Sequence, residues 1–124
     1  MKSLNIEATA TTPAVQLDGQ QGQLSLEGVS DEEDALGFYF PIIQWLDGYQ
    51  AHPAKSTTVD LRLRYFNTAS AKALYEIIKR LARIQEKGQS VTVNWYYDEA
   101  APVLKDDIEH FSDIASIPIN IIPA

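Results

Sequence analysis

The stretch from Val59 to Leu81, VDLRLRYFNTASAKALYEIIKRL, constrains the chain more than any other, because its hydrophobic period changes part-way along. Val59, Leu61, Leu63 and Tyr65 alternate with Asp60, Arg62, Arg64 and Phe66. A period of two puts the first set on one face of a strand and the second set on the other. Then Leu74, Ile77, Ile78, Leu81 and Ile84 recur at helical spacing, which predicts an amphipathic helix. Between the two lies Asn67-Thr68-Ala69-Ser70, with three small polar side chains at a strand-to-helix turn. Such a turn sits at the rim of a sheet, beside the unpaired N–H groups and the positive end of a helix. A functional site is expected there.

The rest of the chain supplies partners for this unit. Leu4, Ile6 and Ala8 alternate with polar residues and predict a short first strand. Pro13 bars a central ladder donor and makes Thr9–Pro13 a connection. Val15 with Leu17, and Leu24 with Leu26, predict two strands of a hairpin around Asp18-Gly19-Gln20-Gln21-Gly22. Ser30 followed three residues later by Glu33 fits a capping box, so a helix is expected from the acidic run Asp31–Asp34 to about Tyr49. Leu36, Phe40, Ile43 and Leu46 are its expected inner face, widened by Phe38, Tyr39, Ile42 and Trp45, and Gly37 and Pro41 predict an irregular first turn or a restart. After the central unit, Gly88 closes the helix and Val91, Val93 and Trp95 form a strand. A last helix carries Leu104, Ile108, Phe111 and Ala115 inward, with Pro102 near its first turn, and Ile117, Ile119 and Ile121 suggest a terminal edge strand beside Pro118 and Pro123.

The predicted order is β-β-β-α-β-α-β-α-β. Strands alternating with helices from residue 56 onward imply right-handed crossovers and parallel pairing, and the opening hairpin makes the sheet mixed. The expectation is one α/β domain over residues 1–124, a mixed sheet of five to six strands with three helices mainly on one face.

Composition excludes several classes of function. There is no cysteine, which removes disulfides, thiolate catalysis and cysteine zinc sites. A formal charge of −7 argues against nucleic acid, since phosphate binding needs a basic surface. The patch Lys79, Arg80 and Arg83 reads as a solvated helix face. The N-terminus has no apolar signal core and no run approaches a membrane span, so a cytoplasmic location is expected. His52 and His110 stand apart from each other, and the acidic run lacks calcium-loop spacing, so neither a metal nor a cofactor is expected. No nucleophile elbow, phosphate loop or dinucleotide fingerprint occurs, and no base for a Thr68 nucleophile is identifiable. The chain does not read as an enzyme.

On the residues alone, Thr68 or Asn67 caps the helix through a side-chain oxygen. A phosphate on Thr68 is also compatible with the turn, because a helix N-terminus favours negative charge. Ser70 is a helix hydroxyl or a lesser alternative acceptor.

Several stretches taken together resemble the SiaC-type regulatory phosphoproteins. They are Thr12-Pro13 before an alternating strand, Gly28-Val29-Ser30 before an acidic helix start, Phe40-Pro41-Ile42-Ile43-Gln44-Trp45-Leu46, Asn67-Thr68-Ala69-Ser70 after LRLRYF, and Trp95-Tyr96-Tyr97-Asp98. They run through nearly the whole chain in order, and the Asn-Thr-x-Ser turn is the most specific. Where members usually carry a Tyr-Pro-Glu-Asn-like run, this chain has Asp31-Glu32-Glu33-Asp34. The resemblance implies a fold like that of the anti-sigma-factor antagonists, the STAS-like domains, and a partner-switching role. It implies that Thr68 is phosphorylated by a dedicated kinase and cleared by a PP2C-type phosphatase, with Asn67 and Ser70 shaping the site. It further implies that the unphosphorylated form binds and activates a diguanylate cyclase. An anti-sigma-factor antagonist acting on transcription and a small-molecule-binding domain are the alternatives.

Overall fold

The alternating segments assemble into one sheet with strand order β1-β2-β3-β4-β5-β6, so every strand lies beside its neighbours in sequence. The computed structural model describes residues 2–100 and 102–124. The elements are β1 (Leu4–Ile6), β2 (Ala14–Asp18), β3 (Gln23–Ser30), α1 (Ala35–Tyr49), β4 (Ser56–Phe66), α2 (Thr68–Glu86), β5 (Ser90–Tyr97), α3 (Pro102–Ile114) and β6 (Ile119–Pro123). The first three strands pair antiparallel, and β3 through β6 pair parallel. Each parallel step needs a crossover, and α1, α2 and α3 supply the three. No helix among the described residues is long and apolar enough to cross a membrane.

One face of the sheet holds the core. Val15, Leu17, Leu24, Leu26, Val59, Leu61, Leu63, Val93 and Trp95 are all buried there, packed against Ile42 and Leu46 of α1, Leu74, Ile78 and Leu81 of α2, and Ile108 and Phe111 of α3. The opposite face is polar and open. Across it runs a side-chain ladder in which Asn94 donates to Asp60 Oδ1 at 3.1 Å and Asn120 donates to Asn94 Oδ1 at 3.0 Å. Helices on a single face therefore follow from which residue parity is apolar.

The β2–β3 turn is set by Asp18 and Gly22. Asp18 Oδ1 accepts from the amides of Gln20 and Gln21, each at 3.1 Å. Gly22 adopts φ +68 and presents its carbonyl to the Thr58 amide at 2.7 Å, which ties the hairpin to β4.

Four expectations need correction. The cap of α1 is Asp34, whose side chain accepts from the Gly37 amide, and not Ser30, which is the last residue of β3. The helix runs continuously through Pro41 without restarting there. Its buried face is Ala35, Tyr39, Ile42, Ile43, Leu46 and Tyr49, whereas Leu36 and Phe40 are 56% and 52% exposed. A helix apolar on nearly all sides carries no clear phase. The two tyrosines set it, because each finds a buried hydroxyl partner: Ser30 for Tyr39, and Thr57 for Tyr49, both at 2.7 Å.

The fourth correction falls at the end of β4. Gly28 pairs with Leu63 but Val29 pairs with Tyr65, so Arg64 is an extra residue in a bulge. A bulge reverses the side-chain phase beyond it. Tyr65, expected inside, is 48% exposed, and Phe66, expected outside, packs on the core with its ring 5.3 Å from that of Trp95.

Candidate functional site

The bulge delivers the chain to the turn between β4 and α2. Asn67, with φ −89 and ψ 177, is the N-cap of α2, and its side-chain oxygen accepts from the Ser70 amide at 2.7 Å. Its Nδ2 donates to Asp31 Oδ1 at 3.3 Å and to the Glu32 carbonyl at 3.0 Å, while its own amide donates to the Ser30 carbonyl at 3.1 Å. Both ends of the Asn67 side chain are used, one to start the helix and one to grip the loop between β3 and α1. The choice between Asn67 and Thr68 as cap is thereby settled for Asn67.

That loop is braced from behind. The Asp31 amide donates to the Thr11 carbonyl at 2.9 Å, and the Thr11 hydroxyl donates to Glu32 at 2.5 Å. The acidic run is therefore the rim of the turn, and Asp31 and Glu32 touch it directly.

Ser70 lies beneath the turn and is wholly buried. Its hydroxyl donates to the Ser30 carbonyl at 3.0 Å and accepts from the Ser30 hydroxyl at 2.6 Å. With the Ser30 proton directed at Ser70, the 2.7 Å contact between Ser30 and Tyr39 requires the Tyr39 hydroxyl to donate. The result is a buried chain, Tyr39 to Ser30 to Ser70 to a strand carbonyl, that joins α1, β3 and α2. Burial raises the Tyr39 pKa to about 12, against a smaller lowering from Ser30. The proton stays on Tyr39 at any physiological pH.

Thr68 is different. It is the first residue of α2 and is exposed, and its side chain takes no part in these bonds. It borders a cleft of about 280 Å³ between α2 and α3, lined also by Phe66, Ala71, Asp107, His110 and Ile114. The amides of Thr68 and Ala69, at the first two helical positions, have no intrahelical acceptor and face the positive end of the helix. Thr68 thus presents an exposed hydroxyl on a rigid support, beside backbone donors suited to an anion. The burial of Ser70 rules it out as an alternative acceptor in the folded chain.

Asn67, Thr68 and Ser70 are neighbours in the chain, and the structure adds Ser30, Tyr39, Asp31 and Glu32 around them. Alternation carried a signal for Ser30: Leu24, Leu26, Gly28 and Ser30 share the buried face of β3. The basic patch on α2 lies elsewhere, and two of its three cations are paired. Lys79 pairs with Glu76 at 2.6 Å, and Arg80 pairs with Asp47 at 3.0 Å and with Glu76 at 3.1 Å. Hydrogen bonds from Lys79 and then Arg80 hold the Glu76 carboxyl below its ordinary pKa.

The model of the SiaC family regulatory phosphoproteins matches residues 6–124. The chain belongs to that family. An uncharacterized protein of Pseudomonas aeruginosa (strain UCBPP-PA14) is 34% identical over 121 residues, covering 98% of this chain and 96% of its own. The crystal structure of apo-SiaC from Pseudomonas aeruginosa superimposes with a TM-score of 0.89 at 34% identity, covering 98% of this chain and 99% of that one. A second match, with a TM-score of 0.89 at 33% identity and the same coverage, is to a crystal structure of the diguanylate cyclase SiaD in complex with its activator SiaC, again from Pseudomonas aeruginosa. Membership of the SiaC family thus agrees in fold over nearly the full length, and the turn at Asn67-Thr68-Ala69-Ser70 lies inside the matched range.

Proposed function

We propose that this chain is a cytoplasmic, non-enzymatic signalling adaptor that in its unmodified form binds and activates a diguanylate cyclase and is released by phosphorylation at Thr68. A dedicated protein kinase adds the phosphate and a PP2C-type phosphatase removes it. The observation that carries the reading is the contrast within one turn. Thr68 is exposed at the helix start, and Ser70, two residues on, is buried and fully bonded. Support for the partner comes from the SiaD–SiaC complex, whose SiaC chain resembles this one over nearly its whole length.

The physical effect of the modification follows from the surroundings. A phosphothreonine carries a charge of about −1.5 to −2 at neutral pH and strong acceptor oxygens. The amides of Thr68 and Ala69 and the helix dipole favour it, so the domain stays folded. The neighbouring carboxylates of Asp31 and Glu32 do not neutralise it, and a partner seated over this rim meets a hydrated dianion. Binding is lost through bulk and desolvation while the scaffold is unchanged. Asn67 and Ser70 shape the acceptor turn and take no part in the transfer.

The deciding experiment measures cyclase binding and activation with the wild type, Thr68→Ala and Thr68→Asp. The alanine variant is expected to bind like the wild type and to resist the kinase, and the aspartate variant to bind at least about tenfold more weakly. Equal binding by all three overturns the switch. Peptide mapping of protein from its native cells that finds phosphate only at another residue overturns the assignment to Thr68.

A further inference from the structure

The open face of the sheet carries a second feature, remote in chemistry from the Thr68 turn. At the C-terminal ends of β4 and β5, Arg62, Arg64, Tyr96, Tyr97 and Asp98 line a groove of about 350 Å³. Volumes of about 300–1,000 Å³ suit small-molecule ligands. The Arg62 guanidinium carbon lies over the Tyr96 ring, 3.8 Å from its centroid, a cation–π contact. Glu27 is the register partner of Arg62 on β3, yet among the described residues neither Arg62 nor Arg64 forms an ion pair. The two guanidinium groups share the groove with the Asp98 carboxylate and with Ala124, so it offers donors and an acceptor together. Arg62 and Arg64 share the open face by alternation, and the bulge at Arg64 ends that alternation at the groove mouth.

We propose that this groove binds a guanine nucleotide. A guanidinium already stacked on tyrosine offers its outer plane to a nucleobase, because arginine stacks on aromatic faces and on bases. Guanine presents the acceptors O6 and N7 on one edge, which match a second arginine in a two-point contact, and Arg64 supplies it. Its other edge presents the donors N1–H and the 2-amino group, which need a carboxylate, and Asp98 supplies that. Asp98 Oδ1 already accepts from the Ala100 amide at 2.9 Å, which fixes the carboxylate and leaves Oδ2 for the base. Adenine offers neither the O6 acceptor nor the paired donors, so the same three residues discriminate against it. The ligand is either a guanine mononucleotide or a cyclic guanine dinucleotide, which share this chemistry. This site does not depend on Thr68 or on its phosphorylation.

The test is isothermal titration of the full chain with GMP and with cyclic di-GMP, using AMP and inorganic phosphate as comparators and amide chemical-shift mapping to locate the contact. Saturable binding of at least one guanine ligand is expected, with AMP at least roughly fivefold weaker. Shifts should centre on Arg62, Arg64 and residues 96–98. Arg62→Ala and Asp98→Asn, both at exposed positions, should each weaken binding at least about fivefold without changing the thermal midpoint. Binding of cyclic di-GMP alone identifies the dinucleotide, and binding of GMP identifies the mononucleotide. No saturable binding of either guanine ligand at millimolar concentration overturns the proposal. So does AMP or phosphate binding as tightly as the guanine ligands, or binding that is indifferent to both substitutions.

Discussion

The hydroxyl of Ser70 lies 2.6 Å from that of Ser30, which is 40 residues earlier in the chain, and both are buried. This contact fixes the start of α2 against the end of β3, so the exposed Thr68 sits on backbone that two elements hold. Its rigidity comes from polar groups in the core, and those are costly to leave half-bonded. Ser70→Ala removes one donor and one acceptor at once and leaves the Ser30 hydroxyl with Tyr39 as its one side-chain partner among the described residues. The expected loss is about 1–3 kcal/mol in urea unfolding. In a double-mutant cycle Ser30→Ala and Ser70→Ala are expected to be markedly less than additive, because either change alone breaks the same chain.

Tyr39 terminates that chain and makes the stability pH-dependent at the alkaline end. A free phenol titrates near 10.0, and the buried one at about 12. Below the lower value both states keep the proton and the contribution is whole. Between the two the unfolded chain releases a proton that the folded chain retains, so stability falls with rising pH by about 1.4 kcal/mol per unit. Chemical unfolding between pH 9 and 12 (roughly the window the two values define) should show this slope in the wild type. Tyr39→Phe should flatten it, since it removes the group that carries the difference.

Asn67 does two jobs that a substitution can separate. Asn67→Ala removes the cap and should cost about 0.5–2 kcal/mol. Asn67→Asp keeps an acceptor for the Ser70 amide but loses the donor to the Glu32 carbonyl and places a second carboxylate beside Asp31, now 3.3 Å from the amide nitrogen. At neutral pH the aspartate variant should be less stable than the wild type although aspartate caps as well as asparagine. The gap should narrow as pH falls toward 4 (about where carboxylates protonate), as read by thermal unfolding at both pH values.

The order of elements was legible from periodicity, because each change from period two to helical spacing marks a real boundary. The antiparallel start and the parallel remainder followed from the hairpin and the alternation of strand with helix. What sequence could not convey lay in relations between strands. The phase of Tyr65 and Phe66 depends on a bulge whose partner is Gly28 on the neighbouring strand. Local alternation in β4 has no access to it. The inner face of α1 was obscured for a related reason: an almost uniformly apolar helix is oriented by the bonds Tyr39 and Tyr49 make to Ser30 and Thr57. At the site, the turn was visible as Asn67-Thr68-Ala69-Ser70. Ser30 looked like a helix cap because a serine before an acidic run fits that pattern, although its parity with Leu24 and Leu26 pointed inward.

Gly22 is a second place where backbone geometry overrides side-chain chemistry. At φ +68 it stands where L side chains rarely go, and an added Cβ would come within 2.2 Å of the Ser56 carbonyl oxygen. That oxygen belongs to the backbone at the start of β4 and cannot swing aside. Gly22→Ala should therefore cost more than about 1–2 kcal/mol, the scale of a strained left-handed residue alone. Gly88, at φ +97 with nothing near its added Cβ, is the control: alanine there should cost less, and comparing the two urea midpoints isolates the clash.

Thr68 joins the two halves of the functional reading, because the proposed switch requires stability and binding to respond to it in opposite directions. Its side chain is exposed and bonds to nothing that holds the turn, so Thr68→Ala should change stability by less than about 0.5 kcal/mol. Thr68→Asp puts a negative charge on the first turn of α2, whose dipole favours it by about 0.3–1 kcal/mol. Asp31 and Glu32 oppose that gain in part, and raising the salt concentration should shrink both contributions. The aspartate variant is therefore expected to be at least as stable as the alanine variant while binding the cyclase more weakly. A loss of binding accompanied by a comparable loss of stability would mean that the substitution disrupts the turn, and the switch would then need another explanation. Loss of binding with stability kept places the effect at the surface of the turn, where an exposed hydroxyl on a doubly anchored helix start is open to a kinase.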